Sequence, residues 1–490
     1  MREVARERRG GGRMRGAHTV AQVQAAEREL AATLPAGALM QRAAAGLATA
    51  CARRLGRVYG ARVVLLVGAG NNGADALWAG ARLAARGARV TAVTPGEPAG
   101  DALAALRAAG GRVAGPEAID GADLVVDGLV GIGGRGGLRP AAAELVRRTA
   151  GARVVAVDVP SGVDADTGAV EGVAVRAELT VTFGTRKPGL LVGAGRDHAG
   201  DVELVEIGLA LPAPALEVLT AYDVVRLLPT AGEVVDKYSR GVVGVAAGSQ
   251  QYTGAAVLAT GAAVRAGAGM VRFAGAEHAA EQVRSRWPEA VVSALRGAEV
   301  VRAGRVQAWV VGPGLGTDDA AADTVRALLG LDVPVLLDAD ALTVCAEHQD
   351  WLVRREAPTL LTPHDREFAR FGEDVRPDRV GSVRALADRL GVTVLLKGDA
   401  TVVAEPRGRV RVNTTGSAVL ATAGSGDVLS GATGALLAQG LGPLDAASVA
   451  AYLHGLAGTL SAAGASTSAS ALVQAWPDAV RAVRADRLAR

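Results

Sequence analysis

Residues 63–78 read VVLLVGAGNNGADALW, and this stretch decides the fold of the first half of the chain. An apolar run typical of a buried strand is followed by Gly68, Gly70 and Gly73 at the spacing G-x-G-x-x-G, and then by a helix-like sequence. In a dinucleotide-binding fold such glycines let a pyrophosphate approach a helix N-terminus. That fold also needs an acid after the second strand, about 20 residues further on, but Thr94 and Pro95 stand there. The motif therefore fits a dinucleotide site and a simple strand-to-helix turn equally well.

Strand-like and helix-like segments alternate along most of the 490 residues, which predicts an α/β fold with parallel sheets and helices on both faces. The chain is too long for a single hydrophobic core. The alternation breaks in the proline-containing segment LALPAPALEVLTAY and resumes near residue 240. We therefore expect two domains, over residues 17–213 and 225–490, joined by a linker over 214–224.

The composition is that of a folded protein without a membrane span. Half of the residues are hydrophobic, but charges and glycines interrupt every long apolar run. Cys51 and Cys345 have no partner motif and are expected to be buried thiols, which fits a cytoplasmic protein. Residues 1–16 hold six Arg and two Glu and no apolar segment, so they are not a secretory signal. We expect a disordered basic leader, or a translation start at Met14, and no binding of nucleic acid or membrane.

Lysine is almost absent from this chain. Arginine accounts for 50 of the 53 basic residues, and only Lys187, Lys237 and Lys397 are lysines. Lysine has a compact ammonium group whose pKa shifts readily on burial, whereas the guanidinium group of arginine stays charged. The three positions are therefore candidates for chemistry, with chance retention as the alternative.

Polar side chains follow three predicted strands of the first domain. Because the carboxyl ends of parallel strands meet at one edge of a sheet, these groups are expected to share a ligand site. Their oxygen atoms suit a hard cation better than zinc. The residues concerned are Asn71, Asn72 and Asp75 after the first strand, Asp127 and Gly128 at a later one, and Asp158, Pro160 and Ser161 in VDVPSGVD.

The stretches GAGNNGAD, VDVPSGVDADTG and TVTFGTRKPGLL resemble the NAD(P)HX epimerase family, the YjeF N-terminal domain. The resemblance implies a Rossmann-like three-layer αβα fold and interconversion of the R and S epimers of hydrated NADH and NADPH. It also implies a potassium ion held by Asn72, Asp127 and Ser161. The implied substrate site comprises Asn71, Asn72, Gly73, Ala74, Asp75, Gly131, Ile132, Gly133, Gly134, Arg135, Gly136, Gly137 and Asp158. The family usually reads N-N-G-G-D, so Ala74 departs by one methyl group.

Proton transfer in the first domain is expected to involve Asp158, because a carboxylate beside a cation and a ligand is placed for acid–base catalysis. Lys187 of RKPG is the second candidate.

The second domain carries VNTTGSAVLATAGSGDVLSG over residues 412–431. The glycine-rich turn leads into a helix with Asp427 in its first turn, and its free backbone N–H groups form a cradle for phosphate. The chain has no G-x-x-x-x-G-K-[ST], which excludes a P-loop NTPase. Asp427 could serve only as a helix cap, or it could be a functional residue. The flanking glycines, which allow a close approach to the backbone, favour a functional residue.

In order, GSQQYTGAAVLA, GPGLG, LLDADAL, LLTPHDREFARF, LLKGDATVV and TAGSGD resemble the ADP- or ATP-dependent NAD(P)HX dehydratase family, whose fold is ribokinase-like. The family usually reads T-P-H-x-G-E, and Arg366 stands at the fifth position. The resemblance implies nucleotide contacts at Lys397, Gly398, Asp399, Ala400, Thr401 and Gly426. It implies contacts with the hydrated dinucleotide at Gly316, His364 and Asp427, with Ala255 nearby.

Together the two resemblances imply a bifunctional repair enzyme that acts on NADHX and NADPHX with ADP and Mg²⁺. Asp427 would be the general base that activates the C6 hydroxyl for phosphorylation, and AMP and phosphate would be released. A homo-oligomer is plausible. The alternatives are a ribokinase-like small-molecule kinase and a first domain that binds nucleotide without catalysis.

Overall fold

The computed structural model describes residues 14–96, 100–229 and 238–488, with side chains up to residue 485. Lys237 and most of the expected leader lie outside these ranges. The described chain folds into two compact units, here called the first unit, over residues 16–216, and the second unit, which begins at Glu217 and also includes Arg15. The segment expected to be a linker contains a strand and a helix start, because Leu216 and Val218 are buried on alternate positions and Thr220 caps the helix that follows.

The first unit is built from strands and helices in near-regular alternation. The elements are β1 (Arg15–Ala17), α1 (Val20–Ala31), α2 (Ala38–Leu55), β2 (Arg62–Val67), α3 (Asn71–Ala84), β3 (Arg89–Val93), α4 (Gly100–Ala108), β4 (Arg112–Val113), β5 (Leu124–Gly128), α5 (Pro140–Arg148), β6 (Val154–Val157), β7 (Leu179–Phe183), α6 (Gly193–Ala199) and β8 (Asp201–Val205).

The sheet of this unit has the order β4-β3-β2-β5-β6-β7-β8, and every described pairing in it is parallel. Its two faces are both covered. Val63 and Leu65 of β2 belong to one apolar cluster with α2, α3 and α4, whereas Val64 and Leu66 belong to another with α5. The expected three-layer αβα arrangement is therefore confirmed. Because the chain leaves β2 towards β3 and returns on the other side at β5, the carboxyl ends of β2 and β5 form the topological switch point where such sheets bind ligands.

The second unit is a larger α/β structure. The elements are β9 (Leu216–Val218), α7 (Ala221–Leu227), β10 (Val242–Ala246), α8 (Thr253–Arg265), β11 (Met270–Ala274), α9 (Glu277–Arg286), β12 (Val291–Ser293), β13 (Ala308–Val311), α10 (Asp319–Leu329), β14 (Val335–Leu337), α11 (Asp340–Glu347), α12 (Asp350–Val353), β15 (Thr359–Leu361), α13 (Asp365–Ala369), α14 (Arg379–Leu390), β16 (Thr393–Leu396), β17 (Thr401–Ala404), β18 (Val410–Asn413), α15 (Ser425–Ala438), α16 (Pro443–Ala462) and α17 (Ala469–Leu488).

The sheet of the second unit runs β9-β18-β17-β16-β15-β14-β13-β10-β11-β12. Its strands are parallel except for the antiparallel pairs β16–β17 and β17–β18. Helix α15 packs closely on α8, since a Cβ at Gly431 would collide with the backbone of Ala259.

Both cysteines are buried, as expected. Within the described ranges, no helix is long and apolar enough to cross a membrane.

Candidate active sites

The three glycines after β2, Gly68, Gly70 and Gly73, have different structural roles. A Cβ at Gly68 would collide with the carbonyl of Leu129, and one at Gly73 would collide with the carbonyl of Gly68. A Cβ at Gly70 would meet no atom within 4 Å. Gly68 and Gly73 are therefore required by the protein's own packing, whereas Gly70 leaves open space at the N-terminus of α3, where a ligand's phosphate would approach.

The first turn of α3 anchors the switch point through Asn72. Its side chain is buried, and Nδ2 donates to Val157 O at 2.5 Å. A Cβ at Gly131 would collide with the side-chain amide of Asn72, so the glycine loop after β5 lies directly against it. The predicted residues of α3 and of the loop are thereby brought together.

Asp127, at the end of β5, is a fully buried carboxyl group. Its Oδ1 accepts from Ser161 Oγ at 2.6 Å, and its Oδ2 accepts from Ser161 N at 2.8 Å. Burial raises the pKa of Asp127 to about 6, although the hydrogen bonds from Ser161 oppose the shift. Asp127 forms no ion pair with a Lys, Arg or His of the described chain. Two of the three residues implied as potassium ligands are thus in direct contact.

Asp158 follows β6 in a left-handed conformation, with φ of +67°. This is uncommon for a residue other than glycine and carries a strain of about 1–3 kcal/mol. Its Oδ1 accepts from Thr182 Oγ1 at 2.9 Å and from Phe183 N at 3.1 Å. The same oxygen is paired with the ammonium of Lys187, which is 1% exposed and also donates to Phe183 O at 3.1 Å. The two residues expected to move protons therefore form one buried ion pair.

Asp75 lies in the same region without such support. Its side chain is buried, and Oδ1 has no hydrogen-bond partner among the described residues. Burial raises the pKa of Asp75 well above its usual range, and the charges of Asp158 and Glu27 raise it further.

The remaining predicted residues of the first unit line the site unequally. Asn71 is exposed at the start of α3, and Arg135 is exposed in the glycine loop. Ile132 packs against Val159 and its apolar neighbours. The methyl group of Ala74 joins the apolar cluster beneath β2, so the extra carbon relative to the family pattern is absorbed by the core.

In the second unit, the start of α15 is the centre of the site. Gly424 adopts φ of +84°, and the helix begins at Ser425, so Gly426 and Asp427 fall in its first turn. A Cβ at Gly426 would lie 3.4 Å from Lys397 Nζ. Backbone N–H groups and an ammonium therefore face the same space, which suits phosphate.

The carboxyl group of Asp427 is only partly exposed. Burial and the charge of Asp338, opposed by Lys397, together raise the pKa of Asp427 to about 7. A carboxyl group with a pKa near neutrality is suited to act as a general base.

Lys397 is held between two carboxylates. Its Nζ lies 2.8 Å from Asp338 Oδ1 and 3.5 Å from Glu367 Oε2. Burial alone would lower the pKa of Lys397, but the charges of Asp338 and Glu367 outweigh it and raise the pKa. The ammonium group of Lys397 therefore stays charged beside the N-terminus of α15.

In the segment LLDADAL, a strained backbone at Ala339 separates two acids, Asp338 and Asp340. Ala339 has φ of +50° and ψ of −116°, outside the regions that alanine favours. On one side of it Asp338 contacts Lys397. On the other, Asp340 Oδ2 accepts from Gly316 N at 2.8 Å. The strain thus places one carboxylate at the ammonium and the other under the predicted substrate loop.

His364 is exposed at the N-cap of α13 and is locked there by Glu367. His364 N donates to Glu367 Oε2 at 2.8 Å, and Glu367 N donates to His364 Nδ1 at 3.1 Å. Arg366 lies on an exposed face of α13 in helical backbone, so the glycine of the family pattern is not needed here.

The predicted nucleotide residues after Lys397 form the tight connection from β16 to β17. Gly398 and Asp399 are exposed, whereas Ala400 and Thr401 are buried. Ala255, at the start of α8, lies beside the loop of Gly316, because a Cβ at Gly314 would approach the Ala255 methyl group to 3.0 Å.

Comparison with known proteins bears directly on both sites. Residues 36–189 match the family model described as YjeF-related protein N-terminus, and residues 243–477 match the one described as NAD(P)H-hydrate dehydratase. A bifunctional NAD(P)H-hydrate repair enzyme from Mycobacterium leprae is 52% identical over 460 residues, which cover 92% of this chain and 95% of that protein. The chain belongs to the bifunctional NAD(P)H-hydrate repair enzymes.

Solved structures resemble the second unit of this repair enzyme. A ribokinase-like superfamily protein from Enterococcus faecalis covers 56% of the chain and 98% of its own length, with a TM-score of 0.50 and 24% identity. The expected ribokinase-like fold is thus confirmed. An ADP/ATP-dependent NAD(P)H-hydrate dehydratase from Bacillus subtilis, co-crystallised with ATP and Mg²⁺, covers 54% of the chain and 97% of its own length, with 30% identity and a TM-score of 0.48.

Several residues at the two sites of the repair enzyme were not singled out from the sequence. Asp338 contacts Lys397, and Ser430 Oγ donates to Asp338 Oδ2 at 2.7 Å. His454 of α16 lies 3.3 Å from the hydroxyl of Ser425, and Glu27 of α1 acts electrostatically on Asp75. The scarcity of lysine was the one available signal, since a charged lysine in a site needs a nearby acid, and LLDADAL supplies two.

Proposed function

We propose a division of the repair reaction between the two units. The first interconverts the R and S epimers of NADHX and NADPHX, and the second dehydrates the S epimer to NADH or NADPH with ADP as phosphoryl donor. The assignment of dehydration to the second unit rests on Asp427. This acid, with a pKa raised to about 7, lies in the first turn of α15 beside Lys397.

In the first unit, the ion pair of Asp158 and Lys187 is the proposed centre of proton transfer. Thr182 and the backbone of Phe183 hold the carboxylate in place, and Gly70 leaves the approach to α3 free. A carboxylate held in this way needs little reorganisation when it accepts a proton.

The buried charge of Asp127 fits a potassium ion. Asp127, Ser161 and Asn72 offer only oxygen donors suited to a hard monovalent cation, and the described chain gives Asp127 no cationic partner. When bound, the ion would neutralise this carboxylate and steady the loops that contact the substrate. The residues that would hold it are Asn72, Asp127 and Ser161.

In the second unit, Asp427 accepts the proton of the C6 hydroxyl group while that oxygen attacks the terminal phosphorus of ADP, and the bond to the AMP oxygen breaks. The resulting phosphate ester is a better leaving group than hydroxide. Phosphate then departs with the C6–O electron pair, and loss of a proton from C5 forms the C5–C6 double bond. Lys397 and the N–H groups of α15 stabilise the charge on the transferring phosphoryl group.

Mg²⁺ is the proposed companion of the nucleotide. The described residues contain no group of three or more His, Cys, Asp or Glu side chains that converge on a metal position. The phosphates of ADP would therefore supply most of its ligands, and the carboxylates of Asp340 and Glu367, whose charges act on Asp427, are compatible with a cation there. Its chemistry would be to neutralise phosphate oxygens.

A ribokinase-like small-molecule kinase is the competing assignment, since the same anion cradle and aspartate would serve it. The decisive experiment supplies purified R-NADHX and S-NADHX separately, with ADP and Mg²⁺, and follows NADH absorbance. Repair of both epimers is expected, with the R form repaired faster than its spontaneous epimerisation allows. Repair of the S form alone would mean that the first unit is silent, and repair of neither would favour the kinase.

A further inference from the structure

Asp75 is a buried carboxyl group that the proposed reactions leave without a chemical role. It lies three residues after Asn72, whose side chain donates to Val157 O, the carbonyl immediately before Asp158. The Asp75 side chain is 6% exposed, and its Oδ1 has no partner among the described residues. An unpartnered buried oxygen is costly to the folded protein, so a ligand that completes its hydrogen bonding is expected.

Asp75 and Asp158 lie in opposite electrostatic surroundings. Lys187 and two further donors, Thr182 Oγ1 and Phe183 N, converge on Asp158 Oδ1. Within the described ranges, no Lys, Arg or His forms an ion pair with Asp75. Burial, followed by the charges of Asp158 and Glu27, raises the pKa of Asp75. Glu27 itself has a pKa raised by burial and by the charge of Asp158. The groups facing Asp75 therefore favour its neutral form.

We propose that Asp75 is the proton donor of the epimerase site and that Asp158 is the proton acceptor. A carboxylate paired with an ammonium and a buried carboxyl group whose Oδ1 has no partner among the described residues are suited to act as base and acid in one site. The inference rests on the proposed epimerase function of the first unit and assigns a chemical role to a residue otherwise expected only to contact substrate.

Asp158 and Asp75 together account for every proton that moves in the epimerisation. Asp158 accepts the proton of the C6 hydroxyl group, the O–H electron pair forms the C6 carbonyl, and the C6–N1 bond breaks. The electron pair left on N1 takes the proton of Asp75. After rotation about C5–C6, N1 attacks the opposite face of the carbonyl, N1 returns its proton to Asp75, and Asp158 returns its proton to the oxygen. Both carboxyl groups regain their starting states, and only the configuration at C6 has changed.

The test uses the full-length enzyme without ADP, so that only epimerisation is observed. R-NADHX is converted to the S form, and the two are separated by chromatography over time and pH. Asp75→Asn is expected to lower kcat by about 10²–10⁴-fold, the usual contribution of a general acid. The wild-type rate should fall on the high-pH side of the profile as Asp75 loses its proton, and that limb should be absent from the residual activity of Asp75→Asn. Asp75→Glu should recover part of the rate and keep the limb.

Asp101→Asn, an exposed change on α4, is the matched control and should behave as wild type. Dehydration of S-NADHX with ADP reports whether each variant retains a working second unit, and Asp75→Ser offers a smaller replacement if the amide is not accommodated. A variant that raises KM but keeps kcat and the alkaline limb would overturn the inference. Wild-type enzyme without epimerase activity would overturn the proposed function and this inference together. Active wild type with an equally active Asp75→Asn would overturn this inference alone.

Discussion

Asp338 Oδ1 lies 2.8 Å from Lys397 Nζ, and the other oxygen of this carboxylate accepts from Ser430 at 2.7 Å. Asp338 is 1% exposed, whereas the Lys397 side chain is 19% exposed. The buried acid thus holds the ammonium beside Gly426 at the start of α15. The same acid raises the pKa of Asp427, so it acts on both the base and the phosphate-binding group of the dehydratase site.

Asp338→Asn is expected to lower the pH at which dehydration becomes fast. The base must be ionised, so kcat/KM for S-NADHX should rise through a pH of about 7 in the wild type. Loss of the Asp338 charge removes one cause of that raised pKa, and the midpoint should move to lower pH, with a lower plateau because Lys397 loses its main partner. Asp374→Asn, exposed on the same unit, should leave the profile unchanged. An unmoved midpoint in Asp338→Asn would contradict the coupling.

Asp427→Asn should reduce dehydration by about 10²–10⁴-fold, as expected for loss of a general base, and should still bind ADP. It should also stabilise the second unit at alkaline pH. The pKa of Asp427 rises from 3.8 in the unfolded chain to about 7, so the folded wild type loses stability between these values as the carboxyl group ionises. The variant escapes this loss, which amounts to no more than about 4 kcal/mol.

Thermal unfolding of wild type and Asp427→Asn over pH provides the measurement. The difference between their melting temperatures should be larger at pH values above the raised pKa than below it. Equal activity in both proteins would rule out Asp427 as the base.

Potassium should support epimerisation and stabilise the first unit. Replacement of K⁺ by choline at equal ionic strength is expected to slow epimerisation of R-NADHX and to lower the melting temperature, because the buried Asp127 charge is then uncompensated. Binding of an ion to the folded state alone stabilises it by about 2.7 kcal/mol at a hundredfold excess over Kd. Asp127→Asn should abolish both responses to K⁺. A variant that keeps its potassium dependence would place the ion elsewhere.

Comparison of Gly70→Ala with Gly68→Ala distinguishes an effect on substrate binding from an effect on packing of the fold. At Gly70 a methyl group meets no protein atom within 4 Å, so the fold should be little affected while KM for R-NADHX rises. At Gly68 the methyl group collides with the backbone of Leu129, and overpacking should destabilise the first unit by about 1–3 kcal/mol or more. Urea unfolding and initial rates on the two variants are sufficient. Equal destabilisation by both changes would refute the distinction.

Much of the fold could be predicted because its signals are local. The glycine turn after β2, the buried strands and the polar residues at strand ends are all visible in short windows. In each unit they locate the carboxyl edge of the sheet, where the site of that unit lies. The short strand Leu216–Val218 inside the expected linker could not be predicted in this way, because it is paired with β18, a partner far along the chain.

The electrostatic partners could not be predicted from local sequence. Lys397 and Asp338 are separated by 59 positions, and only the parallel arrangement of their strands brings the two charges together. The missing hydrogen bond at Asp75 and the left-handed backbone of Asp158 are likewise consequences of tertiary packing, since the sequence around each suggests only an ordinary turn.

The near-absence of lysine has a practical consequence. Lys187 is 1% exposed in the ion pair of the first unit, and Lys397 is 19% exposed in the second, so a lysine-directed acylating reagent would find both of these amines shielded by the sites that use them. Acylation of each, read by peptide mass spectrometry, would report the opening of one site independently of the other. The residue choice of this chain thus provides two built-in footprinting probes that require no engineered label.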